Sequence, residues 1–461
     1  MSLPAPKVIN FKSVEQHSGK YRYSRISTKD GALGNRITLD PSASQEVNWQ
    51  LPSKVYNLSK SFISYTSNMT APAAKCSVAF TDVALPWVQS IQFGTMGGLN
   101  IVDLQNSHIY SKVARKIDTP IDEFEASDIF SGLTKADLTS ANYVPQGYTS
   151  LAGNSLGVPV GAPALVAPSA NEPLYSRSSA PATAMQMQYN VPLSAFTNTL
   201  FSMPQDMYFG TDNMYLRINT APSSKLGYVA TAANNPIVGA APLETQPTIS
   251  NLFLYLAVET DEAVVDTIKS KYNSGDLKYV IPFTYSFRQS TIGGGSQSLS
   301  CNLTHQYGRL MKRMLHVVLP ANELLNSAYD HSNFNGSKFS RYQTFLDSTP
   351  LQDSVINCLQ ATNASPDLVL DDWRENKMLC TGSAIQGPAC YQLNWFHCDS
   401  FSGKSTDPSV PESQIYEGLD LSIPKQWIIE MQMSNANFNH YSFATFLRQL
   451  HLVPNLGPQF V

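Results

Sequence analysis

Leu252-Phe-Leu-Tyr-Leu-Ala-Val-Glu-Thr-Asp-Glu262, continued by Ala263-Val-Val-Asp-Thr-Ile-Lys-Ser-Lys-Tyr272, is where the chain changes its period. Up to Val258 the residues alternate as a strand does, with side chains thrown to opposite faces. From Thr260 they read as a helix, expected over 260–272. Thr260 is placed to cap it, Asp261 and Glu262 sit at the positive end of the helix dipole, and Lys269 and Lys271 sit at the negative end. Val264, Val265 and Ile268 form its apolar stripe, and Asn273-Ser-Gly275 stops it. Strands resume at once with Tyr279-Val-Ile-Pro-Phe-Thr-Tyr-Ser-Phe287. This short helix therefore joins two strand-rich halves.

Reading outward, the first half offers Arg36–Leu39, then Val55–Tyr65 with Val55, Leu58 and Ile63 among hydroxyl residues, then Ala84–Phe93. Gly94, Gly97 and Gly98 separate Val88–Phe93 from Leu99–Leu104, as expected of a hairpin, because glycine tolerates the positive φ of tight connections. Ser107 is expected to cap a short helix through Lys116, with Ile109, Val113 and Ile117 on one face. From about 131 to 181 the composition shifts to Gly, Pro, Ala, Ser and Thr, too long for an ordinary connection and unable to hold a helix. Strand-like segments follow it (Met185–Val191, Met207–Ile218), so it is expected to be an insertion within the first half rather than a linker.

The second half repeats this outline, with strands, a polar loop region (Ser327–Ser340) and a helix-like segment (Leu368–Leu379). One stretch stays open on its own residues. Arg309, Lys312, Arg313 and His316 fall at helical spacing, while Val317-Val-Leu-Pro320 argues for a strand.

With 461 residues, the chain exceeds what one core supports, and two domains are expected. Charged residues make up only 14%, against roughly 25% in an ordinary soluble protein. Much of the surface is then uncharged and polar, which suits a surface covered by neighbours. The net charge of -4 excludes a globally basic nucleic-acid binder. The first 36 residues are locally basic: Lys7, Lys12, Lys20, Arg22, Arg25, Lys29 and Arg36 stand against Glu15 and Asp30, a net +5. Residues 1–34 read as an extended arm, equally a solvated terminus or a segment reaching a neighbouring subunit, an inner membrane or the genome. The arm has no long apolar run of the kind a signal peptide or a membrane span needs. The six cysteines (76, 301, 358, 380, 390, 398) show no zinc or redox spacing and are expected as reduced, mostly buried thiols. Sequons at Asn57, Asn68, Asn302, Asn335 and Asn363 read as chance matches in a Ser-rich and Asn-rich chain.

In the order of these signals the chain resembles the double jelly-roll major capsid proteins of double-stranded DNA viruses, of the polinton-like virus and virophage type, with the nucleocytoplasmic large DNA viruses as distant relatives. Leu85-Pro-Trp-Val-Gln-Ser-Ile-Gln-Phe93 running into Gly97-Gly-Leu-Asn-Ile-Val102 is similar to paired strands of the first jelly roll. Leu252–Glu262 is similar to its last strand entering the connecting helix. Leu299–Val318 is similar to early strands of the second roll, which implies a strand at 309–316. Trp373-Arg-Glu-Asn376, Tyr391–His397, Gly418-Leu-Asp-Leu421 and Phe443–Leu450 come in the order of its closing segments.

The resemblance spans roughly residues 35–455. It implies an all-β chain of two tandem eight-stranded jelly-roll sandwiches with short helices in the connections: an arm at 1–34, a first roll at 35–272 and a second at 273–461. It further implies a homotrimer forming a pseudo-hexameric capsomer, contacts with neighbouring capsomers and with penton and minor capsid proteins, and a place in an icosahedral virion shell assembled inside the host cell. Independently, 22 Tyr, 21 Phe and 5 Trp supply the apolar area with polar tips that such cores and contacts use.

No residue set carries chemistry, and no catalytic, cofactor-binding or metal residues are expected. Phe396-His-Cys-Asp-Ser400 lines up an imidazole, a thiol, a carboxylate and a hydroxyl, but neighbours on a strand point to opposite faces and cannot form a triad in line. The eight histidines include no HExxH pair. Ile292-Gly-Gly-Gly-Ser296 lacks the Lys-Ser/Thr of a phosphate loop and reads as a turn. Asp371, Asp372 and Asp399 read as solvated acids. The competing reading is a carbohydrate- or receptor-binding β-sandwich, such as a spike or lectin-like module, and a β-sandwich hydrolase is the weakest.

Overall fold

The computed structural model describes residues 21–29, 35–40, 42–70, 77–80, 85, 87–96, 98–118, 143–144, 176–177, 184–211, 213–221, 227–230, 248–291, 295–320, 339–357, 397–401, 418–433, 438–454 and 456–460. Several expectations lie outside them: residues 1–20 of the arm, most of the 131–181 insertion, the loop at 327–338, the helix-like 368–379 with Asp371 and Asp372, Ile292–Gly294, and Cys76, Cys358, Cys380 and Cys390.

Sixteen strands build the architecture. In the first half they are β1 (Tyr21–Ser27), β2 (Glu46–Leu51), β3 (Tyr56–Thr70), β4 (Val88–Thr95), β5 (Asn100–Gln105), β6 (Ala184–Pro192), β7 (Met214–Thr220) and β8 (Thr248–Glu259). In the second they are β9 (Leu277–Thr291), β10 (Gly295–Leu303), β11 (Leu310–Pro320), β12 (Phe339–Leu346), β13 (Thr349–Pro350), β14 (His397–Ser400), β15 (Lys425–Met433) and β16 (Phe438–Val453). The first half forms sheets ordered β1-β8-β3-β6 and β2-β7-β4-β5, and the second forms β9-β16-β11-β14 and β10-β15-β12-β13. The two halves thus share one strand order, with every pairing antiparallel. Two eight-stranded sandwiches in tandem were expected; two sandwiches are found, each built on these eight strands, with short strands added to the same sheets at Ile37–Thr38 and Asp206–Met207 in the first and at Ile356–Asn357, Leu419–Asp420 and Gly457–Phe460 in the second.

Each sandwich closes on aromatic and aliphatic side chains sent inward from both sheets, as strand alternation requires. Trp49, Trp87, Phe93, Tyr65 and Leu254 are fully buried in the first, and Trp427, Ile429, Met314 and Tyr342 in the second. Gly94 and Gly98 make the β4–β5 hairpin in different ways. The carbonyl oxygen of Leu99 occupies the space a side chain at Gly94 would need, and Gly98 has φ +104°.

Three local readings are corrected. Residues 21–27, assigned to the arm, form β1 and pair with β8 from Tyr21↔Glu259 to Ser27↔Phe253. A strand at a sheet edge with one solvated face needs no strong apolar run, so its charge masked its alternation. The connecting helix, α2 (Glu262–Asn273), is capped by Asp261 rather than Thr260: the Asp261 carboxylate accepts from the Ala263 amide at 3.0 Å. Ser107 opens α1 (Ser107–Asp118) but does not cap it. Its hydroxyl donates instead to the Val88 carbonyl at 3.1 Å, tying the helix to β4.

The ambiguous stretch at 309–316 is strand. The pairing of β11 with β16 shifts between Met311 and Arg313, a bulge that makes the local spacing irregular.

Candidate assembly surfaces

The two sandwiches meet across the outer face of β9-β16-β11. Asn106, with φ +53°, turns the chain out of β5 into α1, and its amide donates to the Ser286 hydroxyl at 3.3 Å. On α1, the Tyr110 hydroxyl donates to the Thr197 carbonyl at 2.7 Å and accepts from Arg313 Nη2 at 3.4 Å, and its ring lies 5.3 Å from Phe443. Thr284 donates to the Asn198 carbonyl at 3.0 Å and lies 3.1 Å from the Thr445 hydroxyl. The hydroxyls of Tyr110 and Thr284 are thus hydrogen-bonded as burial requires. As a result β16 is buried on both faces throughout Phe438–Leu447.

The inner face of the same sheet holds three buried histidines. His316 Nδ1 lies 2.7 Å from the Ser442 hydroxyl, and His440 Nδ1 lies 3.4 Å from His316 Nε2. His397 Nε2 donates to Asp399 Oδ1 at 2.9 Å, and Trp427 Nε1, from the opposite sheet, donates to Asp399 Oδ2 at 2.7 Å. Thr344 and Gln352 also reach Asp399, at 3.3 and 3.4 Å.

Burial holds His316 well below the ordinary histidine range, helped by the repulsion that His440 and His397 would exert on a charge there. Burial likewise holds His440 down to about 4. The same desolvation pushes the Cys301 thiol up to about 12, so it stays protonated and inert. The Cys301 and Cys398 side chains are buried.

The row His397–Ser400 resolves as the strand period dictates. Cys398 and Ser400 leave the His397 face, while His397 and Asp399, two residues apart, come together. Contrary to the solvated reading of Asp399, its side chain is only 9% exposed, and the imidazole of His397 1%. The pair sits between the sheets as a clamp, joining β14 to β15 through Trp427.

The remaining sheet faces differ in character. The outer face of β2-β7-β4-β5 is a polar ladder: Arg217 pairs with Glu46 at 3.3 Å and Asn48 at 3.1 Å, Asn219 with Ser90 at 2.8 Å, and Gln92 with Asp103 at 3.0 Å. The outer face of β1-β8-β3 is aromatic and cationic. Phe62 stacks on Tyr255 at 4.8 Å, Tyr23 meets Phe62 edge-on at 5.5 Å, and Arg25 lies 4.6 Å over Phe253. Lys60 lies 4.1 Å over the Tyr21 ring. Arg25 was read from the sequence only as part of the basic arm, and the rings were not singled out; the alternation in Tyr21-Arg-Tyr-Ser-Arg-Ile-Ser27 is the signal that could have found the β1 members.

The sequence matches no family model and no curated protein. The structure does find counterparts. It superposes on the quasi-atomic model of the PBCV-1 virus capsid with a TM-score of 0.54, covering 96% of this chain and 97% of that one at 8% identity. The fold is a double jelly roll. The crystal structure of PBCV-1 VP54, fitted into a reconstruction of the virophage Sputnik, gives the same TM-score, coverage and identity. The Faustovirus major capsid protein gives 0.50 over 94% of this chain and 90% of that one, at 11% identity. At such identities the double jelly roll persists through its pattern of inward and outward residues rather than through any particular side chain.

Proposed function

We propose that this chain is a viral major capsid protein that trimerises into pseudo-hexameric capsomers and tiles an icosahedral virion shell. The observation that carries the reading is the repeat within one chain: two sandwiches of identical strand order, docked through a buried contact, with a double jelly-roll fold matched end to end by the PBCV-1 capsid structure. Two jelly rolls per chain let three chains present six similar lobes, the shape that packs a hexagonal lattice. The mechanism is geometric: uncharged polar and aromatic surface is buried in trimers, and trimers repeat through smaller contacts. In this reading residues 21–272 and 273–461 are the two rolls, residues 1–20 an arm toward a neighbouring subunit, an inner membrane or the genome, and penton and minor capsid proteins further partners.

Electron microscopy of the purified chain tests the proposal. Three-fold particles with six lobes are expected, and a protein that stays monomeric at every concentration and salt condition overturns it.

A further inference from the structure

Between the two rolls and the end of the helix that joins them lies a cleft of about 730 Å³. Its wall comes from the β4–β5 hairpin and residues 209–211 and Asn213 of the first roll, from the last turn of α2, and from the turn that precedes the C-terminal strand Gly457–Phe460. One side of it is fixed by a glycine. Gly210 has φ +68°, and the tip of the Tyr272 ring stands where a β-carbon at 210 would have to be, so the phenol can occupy this place only beside glycine. The ring also meets Tyr208 edge-on at 5.1 Å. Three polar groups of the wall are left over. Asn213 uses only its backbone, donating to the Thr211 hydroxyl at 3.1 Å and accepting from the Met96 N–H at 2.9 Å. Its side-chain amide, that of Asn273 and the Tyr272 hydroxyl make no hydrogen bond to another described residue. Leu456, 68% exposed, and the two prolines flanking it at 454 and 458 give the wall an apolar part. None of the residues lining the cleft carries a charge.

We propose that this cleft binds a neutral oligosaccharide. Its volume falls within the ~300–1,000 Å³ that small-molecule sites occupy. A phosphate or carboxylate entering it would lose water and meet no cation in return, which disfavours acidic ligands. A purely apolar ligand would cover the two amides and the phenol without pairing them, at about 1–3 kcal/mol for each group stranded. A sugar meets both halves of the wall. Its hydroxyls donate and accept, as do the amides of Asn213 and Asn273 and the phenol of Tyr272, while its C–H faces lie against the leucine and proline surface. The site is complete within one chain and does not depend on the capsid reading.

The test passes the labelled full chain over an array of neutral, sialylated and sulfated glycans, then titrates the strongest hit in free form by calorimetry. Saturable binding of a neutral glycan is expected. In the Asn213→Ala, Asn273→Ala double variant, where both altered residues are exposed, the dissociation constant should rise about tenfold, as the loss of two hydrogen bonds implies. Gln426→Ala, on the exposed face of β15 and away from the cleft, should leave it unchanged. Should the double variant lose its fold by circular dichroism, Leu456→Ala at the exposed rim takes its place, with a severalfold rise expected. Three results would each overturn the site: no saturable binding of any neutral glycan, binding confined to the sialylated or sulfated ones, or a folded cleft variant that binds as tightly as the wild type. Whether the chain forms trimers is read separately, so the capsid reading stands or falls on its own test.

Discussion

Lowering the pH from 7 to 5 should loosen the second jelly roll through its buried histidines, and His440 gives the size of the effect. In the folded chain, burial holds this imidazole down to about 4, while an unfolded histidine titrates near ~6.5. The folded value lies below the unfolded one, so between these two values the unfolded chain binds more protons than the folded chain. Stability is therefore complete above the unfolded value and is lost as the pH falls toward the folded one. At pH 5 the loss from His440 alone is about 2 kcal/mol, and little of it is present at pH 7. His316, 3.4 Å away and also held low, loses stability in the same direction. Nearby, Asp399 pairs with His397 rather than with either of these, and Cys301 stays neutral, so neither offsets a charge on the pair. The assay is urea unfolding at fixed protein concentration, since dissociation of any assembly would add a concentration dependence. His440→Gln, which cannot titrate, should lose about 2 kcal/mol less than the wild type between pH 7 and pH 5. Equal losses in the two proteins would refute the reasoning.

Trp427→Phe keeps an aromatic ring, with some loss of volume, but removes the indole N–H that donates to Asp399 across the sheets; a cost of about 1–3 kcal/mol is expected for the buried carboxylate, read as a lower thermal midpoint. Arg448→Lys should also destabilise, by about 1–3 kcal/mol. The planar guanidinium donates to the Tyr307 and Gln306 carbonyls and lies between the Phe283 and Phe460 rings, which an ammonium cannot reproduce. Limited proteolysis should then release the C-terminal strand Gly457–Phe460 early, and an unchanged digestion pattern would count against the clasp.

How much of this was legible in the sequence depended on the range of the signal. The Leu252–Tyr272 stretch could be read because strand period, acidic first turn and helix stop all lie within a few residues of one another; the cap itself was read at Thr260 and lies at Asp261. β1 was missed because an edge strand can be charged on its open face, and seven basic residues near the N-terminus read more loudly than the alternation of inward Ser24 and Ile26 with outward Tyr23 and Arg25. The histidine cluster draws on positions 316, 397 and 440, and no local pattern links them. His397 and Asp399 could be placed on one face by parity, but not opposite Trp427.

By itself the sequence determined that this is a chain of many short strands in two similar halves with a helix between them, because alternation and capping are local consequences of side-chain direction and unpaired backbone groups. Only the tertiary structure decided which strands neighbour which, that β16 is buried on both faces over Phe438–Leu447, and that three imidazoles share a buried interior. Those outcomes depend on contacts between residues more than a hundred positions apart, and the register of a sheet selects them after the local pattern has been satisfied.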